Sequence, residues 1–247
     1  MLSTGRFLNA IIVLTVALSA VSLAFYILKR WSRTDKELKF FGLFWFFTAI
    51  LWVSVTCRSL AAALNNYELD HVFFKFAQLN VFVSAAFLGA YVFEKMFHVK
   101  ALTNSMLAVC VVLAITGIFF TITLPIIPVD LENFFATEYD PSPEAQMVFL
   151  VIIVPIMLLL VTDIFHQWKN LAGFRKDLMA KAGTSLSVLV YLILGYFDQS
   201  GIIGWPVLLL RLLYIGAFSM AYMSIINVLK EDDLVYGIKE TDTIGHL

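Results

Sequence analysis

Apolar residues run along this chain in long unbroken stretches, parted by short polar segments. They lack the ten-residue alternating pattern of a membrane barrel strand. The stretches fall at about 7–28, 41–64, 72–93, 102–124, 146–166, 184–198 and 205–229, each near the roughly 20 residues that cross a bilayer as helix. Lipid offers the backbone no hydrogen-bond partner, so such runs must be helices. The pattern predicts an all-α, polytopic membrane protein: a seven-transmembrane-helix bundle over residues 1–229, then a short charged tail over 230–247.

Polar punctuation agrees with these limits. Thr34 and Glu37 form a capping-box pattern ahead of the second span. Pro125 and Pro128 stop the fourth, and Pro206 opens the seventh. Ser142-Pro143-Glu144 reads as a cap, a proline at the first helical position and an acid against the positive end of the helix dipole. Pro155 lies within the fifth span and is expected to kink it. The sixth span is the shortest and is expected to start nearer Leu178.

Charge supplies the orientation. Thirteen of the seventeen Lys and Arg lie in the first, third and fifth connections and the tail, Lys29, Arg30, Arg33, Lys36, Lys39, Lys95, Lys100, Lys169, Arg175, Lys176, Lys181, Lys230 and Lys239. The connections around 65–71, 125–145 and 198–204 hold none, yet carry Glu68, Asp70, Asp130, Glu132, Glu138, Asp140, Glu144 and Asp198. Cations stay on the cytoplasmic side, so the N-terminus is expected outside, the C-terminus in the cytoplasm, and the protein in the cell membrane. The net charge of -1 hides this segregation. The hydrophobic fraction of 61% and charged fraction of 14%, against roughly 45–50% and 25% in soluble domains, fit a lipid solvent. Ala17-Leu18-Ser19-Ala20 and Arg6 give a faint signal-peptide pattern, but the apolar run continues to Leu28 and a basic cluster follows, so it is read as a retained span.

Three cations remain within spans, Arg58, Lys75 and Arg211. Intramembrane charges default to a functional role, and helical rise puts all three at one level, roughly 8–10 Å below the outer helix ends. Polar stripes accompany them: Ser54 with Arg58; His71, Lys75 and Gln78; Tyr191, Gly195 and Asp198; Arg211 and Tyr214. A ligand-binding cavity open to the outside is therefore expected, lined by Arg58, Lys75, Gln78, Tyr191, Asp198, Arg211 and Tyr214, and suited to an anionic or carboxylate-bearing small molecule. The structural alternative pairs Arg58 and Arg211 with Asp198 and Asp70 and lets Lys75 snorkel to the interface.

Other features are assigned to structure. Glu94 with Lys95, and Asp163 with His166, read as interfacial residues near the inner helix ends. Cys57 and Cys110 lie in apolar segments and read as packing residues. Ala85 with Gly89, and Ala217 with Ala221, suit close helix contacts. The acidic connection 125–145, with Phe134 and Phe135, is read as a solvated turn lying on the headgroups, with a lid as the alternative.

Absences narrow the chemistry. His71, His98, His166 and His246 are scattered in depth, so neither a metal site nor haem is expected. Seven spans with the N-terminus outside, in 247 residues, resemble the topology of microbial rhodopsins, but the middle of the seventh reads Tyr214-Ile215-Gly216-Ala217-Phe218-Ser219, without a Schiff-base lysine, so no retinal function is expected. There is no HExxH, GxSxG, P-loop or paired-aspartate motif. No enzyme activity, catalytic residue or cofactor is expected, and the tail is too short for a kinase, cyclase or DNA-binding module, so no nucleic-acid partner is expected either.

The second span, Phe41-Gly42-Leu43-Phe44-Trp45-Phe46-Phe47, ending near Arg58, resembles the aromatic second helix of the seven-transmembrane sensor regions of prokaryotic membrane receptors of the histidine-kinase type. The basic fifth connection running into a sixth span that ends Gly195-Tyr196-Phe197-Asp198 is similar in style. Those regions precede kinase or cyclase modules, which this sequence lacks. The resemblance implies a receptor-like sensor or ligand-binding membrane subunit, signalling through a cytoplasmic protein or membrane partner that meets the inner loops and Glu231-Asp232-Asp233. A small-solute transporter or channel, and a structural subunit of a membrane complex, are the alternatives.

Overall fold

The computed structural model describes residues 3–31, 35–97, 99–169, 175–199 and 204–244. Among them lie seven helices, α1 (Thr4–Leu28), α2 (Lys36–Ala63), α3 (Tyr67–Phe97), α4 (Lys100–Thr123), α5 (Pro143–Lys169), α6 (Arg175–Gln199) and α7 (Pro206–Ile244), and two strands between α4 and α5, β1 (Ile127–Asp130) and β2 (Glu138–Asp140). The helices close a ring: α2 packs between α1 and α3, α3 also meets α4 and α5, α6 lies between α5 and α7, and α7 returns to α1.

Six helices are long and apolar enough to cross a membrane, so the chain is an all-α, multi-pass membrane protein; in α6 the apolar part is the shorter segment Ala182–Asp198. Burial supports lipid as the solvent. On α4 the buried positions are Thr103, Cys110, Ala114, Gly117 and Thr121, a stripe of small side chains. Its opposite face exposes Val109, Val112, Ile115, Phe119 and Ile122, a patch that water would not tolerate. The smallness of the stripe lets α3 approach closely: a Cβ on Gly117 would run into the Phe82 ring. Ala85, Gly89, Ala217 and Ala221 are likewise buried.

The core is aromatic and centred on α2, whose Phe41, Phe44, Trp45 and Trp52 are almost fully enclosed. Trp45 and Trp52 are seven positions apart and so share one helix face. From α6 and α7, Tyr191, Tyr214 and Phe218 pack onto that face, with Trp52–Tyr214 ring centroids at 4.5 Å and Trp45–Tyr191 at 5.4 Å. Below them Phe41 meets Tyr91 at 4.8 Å.

Most boundaries match the sequence pattern, with three differences. Asp35 caps α2, its carboxylate accepting from Leu38 N at 2.8 Å; Thr34 lies outside the described residues. α7 does not end where its apolar run does but continues to Ile244 through the charged segment, whose lysines and glutamates are good helix formers. The connection 125–145, expected as a solvated turn, folds into an antiparallel hairpin, pairing Ile127 with Asp140, Pro128 with Tyr139 and Asp130 with Glu138, with an irregularity between Pro128 and Asp130. Ser142 caps α5 as its sequence suggests, accepting from Ala145 N at 3.2 Å.

Candidate functional site

The hairpin sits on the ends of α1, α2 and α3, and local backbone chemistry explains how. Its tip folds around two side chains. Asp130 Oδ1 accepts from the amides of Glu132 and Asn133, and Asn133 Oδ1 from those of Phe135 and Ala136. With their amides held internally, the tip residues offer carbonyl oxygens to the helices. The α2–α3 turn is equally defined: Asn65 adopts φ 56°, a left-handed conformation asparagine tolerates, and Asn66 Oδ1 accepts from Leu69 N to start α3.

Arg6 of α1 joins these two structures. Its guanidinium donates to Leu131 O at 2.5 Å, Asn133 O at 2.8 Å, Ala62 O at 3.2 Å, Asn65 Oδ1 at 3.3 Å and Tyr67 Oη at 3.1 Å. Gly5 lets the tip approach, since a Cβ there would lie 2.5 Å from Phe134 O.

Arg58 of α2 makes the second junction. Its Nε meets Asp70 Oδ1 at 3.0 Å, with Asp70 wholly enclosed, and its Nη2 donates to Thr137 O. Tyr139 Oη donates to the other Asp70 oxygen at 3.1 Å. The guanidinium lies over Phe74 and Tyr139, 4.8 and 5.3 Å from the ring centroids. Burial and the Asp70 carboxylate push the Tyr139 phenol above its ordinary range. The neighbouring Glu138 carboxyl is also pushed up, by burial and then by Asp140 and Asp130, with Arg58 opposing.

Arg211 of α7 completes the arrangement. It is 6% exposed, donates to Asn9 Oδ1 at 2.5 Å and stands 3.9 Å from Asp198, too far for a hydrogen bond. Its Nε has no hydrogen-bond partner among the described residues. Between these groups lies a small cavity, about 10 Å³ for the centre of a water-sized sphere, lined by Arg6, Asn9, Arg58, Ser59, Ala62, Phe135, Ala136, Thr137 and Arg211. Among the described residues, three guanidinium groups and no carboxylate line it.

Of the residues expected at a site, Arg58 and Arg211 line this cavity and Asp198 stands behind Arg211. Tyr191 and Tyr214 belong to the aromatic core below it, their centroids 5.4 Å apart. Lys75 and Gln78 are half-buried on α3 and are not in the lining. The inward face of α3 is held by Asp70, Phe74 and Ala77, each one position earlier, and one residue turns a helix by about 100°. Sequence reasoning missed Arg6, Asn9 and Thr137. Arg6 and Asn9 at spacing i, i+3 on an apolar helix were a usable signal.

A second buried polar group lies at the opposite end. Lys95 of α3 pairs with Asp163 of α5 at 3.1 Å, both about 9% exposed. Lys95 also donates to Ser185 Oγ at 2.8 Å and Thr184 Oγ1 at 3.1 Å, and Ser185 donates to Asp163 at 2.6 Å. Tyr91 Oη donates to Thr184 at 3.0 Å. These residues face the bundle interior and bind α3, α5 and α6 to one another. Lys36 and Glu94 pair nearby at 2.9 Å, with Lys36 half-buried.

Among the described residues, no group of three or more His, Cys, Asp or Glu is placed to hold a metal ion. Comparison with protein-family models and with curated proteins finds no match for this chain.

Proposed function

We propose that the chain is a receptor-like membrane sensor of seven spans, N-terminus outside and C-terminus in the cytoplasm, that binds a small anionic or carboxylate-bearing molecule beneath the hairpin and signals through a cytoplasmic partner. The observation that carries this reading is the convergence of Arg6, Arg58 and Arg211, from three helices, on one cavity without a carboxylate in its lining. Guanidinium donors in a water-poor site favour carboxylates and other anions. Segregation of the cations supports the seven-span count and the orientation, which put the hairpin outside.

The route inward supports sensing more than transport. Beneath the cavity the bundle is filled by Trp52, Tyr214, Tyr191, Trp45 and Phe218, an aromatic layer whose contacts can pass a shift of α2 or α7. Through Phe41 and Tyr91 these contacts reach the Lys95–Asp163 group. Ligand binding acts by favouring one arrangement of these helices over another.

The test uses the purified full-length protein in nanodiscs and a panel of small carboxylic acids, read by thermal unfolding and by thiol labelling of a cysteine placed at Lys169. At least one acid is expected to stabilise the protein and change labelling, and Arg58→Gln to abolish both. Labelling that responds to no acid would overturn the reading. External labelling of a cysteine at Phe134, with none at Lys230, checks the orientation.

A further inference from the structure

We infer that the cavity between Arg6, Asn9, Arg58 and Arg211 holds one small monovalent anion, a halide or the carboxylate end of a small acid. The inference rests on the sensor reading only for the position of the site, and names what the site takes.

Charge balance is the first argument. Arg58 has Asp70 as a full ion-pair partner. Arg211 has Asp198 only in a long ion pair at 3.9 Å, beyond hydrogen-bond distance. Arg6 is 4% exposed, and all of its hydrogen bonds go to neutral oxygens of the main chain, a carboxamide and a phenol. Among the described residues no carboxylate stands within ion-pair distance of it. Burying an ion without a counter-charge is strongly unfavourable, and an anion between Arg6 and Arg211 supplies that charge.

Donor supply is the second argument. Arg211 Nε is enclosed and has no acceptor among the described residues. The Asn9 carboxamide, whose oxygen is turned to Arg211, brings an amide donor to the same lining. A lining of guanidinium and amide donors without a carboxylate selects against cations.

Size is the third. The cavity is on the scale of one water molecule. A halide ion, a single atom, comes nearest to that space and one oxygen of a carboxylate can enter it, whereas sulfate, phosphate and gluconate exceed it.

The experiment measures thermal unfolding of the purified full-length protein in detergent at constant ionic strength, exchanging sodium gluconate for chloride, bromide, formate or sulfate. Saturable stabilisation by chloride, bromide and formate, with none by sulfate, is the expected result. Response to halides alone, or to formate alone, supports the inference and names the source. Arg211→Gln should weaken the response by roughly tenfold or more, the scale of one lost charge-assisted hydrogen bond, while Lys75→Gln leaves it intact. If Arg211→Gln does not fold, Asn9→Ala, which removes no charge, gives the same comparison. Equal unfolding temperatures in chloride, formate and gluconate would overturn the inference, as would an undiminished response in both Arg211→Gln and Asn9→Ala. Anion stabilisation without any change at the cytoplasmic end leaves this inference standing and removes the sensor reading. A cytoplasmic response to an organic acid without a halide or formate effect does the reverse.

Discussion

Asp70 and Tyr139 hold each other across the seam between α3 and the hairpin: the phenol donates to Asp70 Oδ2 at 3.1 Å, and Arg58 occupies Oδ1 at 3.0 Å. One enclosed carboxylate therefore ties α2, α3 and β2 together. The hairpin is fastened by the same guanidinium that lines the cavity.

Asp70→Asn should destabilise the protein by about 3–5 kcal/mol, because it leaves Arg58 without its counter-charge. Tyr139→Phe should cost less, about 1.5–3 kcal/mol, the range for a hydrogen bond to a charged group. Thermal unfolding in detergent measures both, and equal effects would contradict the ordering.

Acidity should act on the hairpin through Glu138 and Tyr139. Glu138 in the folded state holds its proton more tightly than in the unfolded chain, through burial and the Asp140 and Asp130 carboxylates. Its stabilisation is full below the ordinary glutamate range and is lost as pH rises through the raised value. Stability measured across the acid range should fall with rising pH at this step, and Glu138→Gln should flatten it. Tyr139 is shifted in the same direction, so a second loss should begin near pH 10, about where the unfolded phenol ionises. Tyr139→Phe should remove that step.

Gly5→Ala should loosen the hairpin tip, at a cost of about 1–3 kcal/mol for overpacking. The added methyl would meet both the Phe134 ring and the Phe134 carbonyl oxygen, the oxygen at 2.5 Å. Adding Phe134→Ala should therefore rescue only part of the loss. Protease cleavage within 130–137 reports the loosening.

At the opposite end, Lys95→Met should cost about 3–5 kcal/mol, since it leaves Asp163 without its partner in an enclosed site. Combining it with Asp163→Leu should recover much of that loss, and a double-mutant cycle on unfolding temperature gives the coupling. Additive single effects would show the pair to be uncoupled.

Much of this architecture was legible because lipid imposes simple demands. Apolar run length locates the helices, and Ser142-Pro143 marks the start of α5 to the residue. Arg58 and Arg211 stood out because a charge inside an apolar run has few structural excuses. Arg6 did not, because a cation just ahead of a first apolar run reads as part of a signal-peptide pattern, although its guanidinium is buried beneath the hairpin. Lys75 and Gln78 were assigned to the inward face by a spacing that fits two adjacent faces of α3 equally well. The hairpin was least visible. Its hold on the helices runs through Leu131, Asn133 and Thr137 carbonyls, and a carbonyl has no letter in the sequence. The buried Lys95–Asp163 pair escaped for a related reason, since depth near a helix end depends on how neighbouring helices tilt over it.

That fastening by main-chain oxygens has a bearing on descent. Every residue type carries the same carbonyl, so the main-chain bonds at 131, 133 and 137 do not depend on which side chains stand there, whereas Arg6 and Arg58 admit no substitute with an equal fork of donors. Drift should thus redecorate the face this strap presents to its surroundings while its clasps persist, letting one scaffold meet different environments with an unaltered floor.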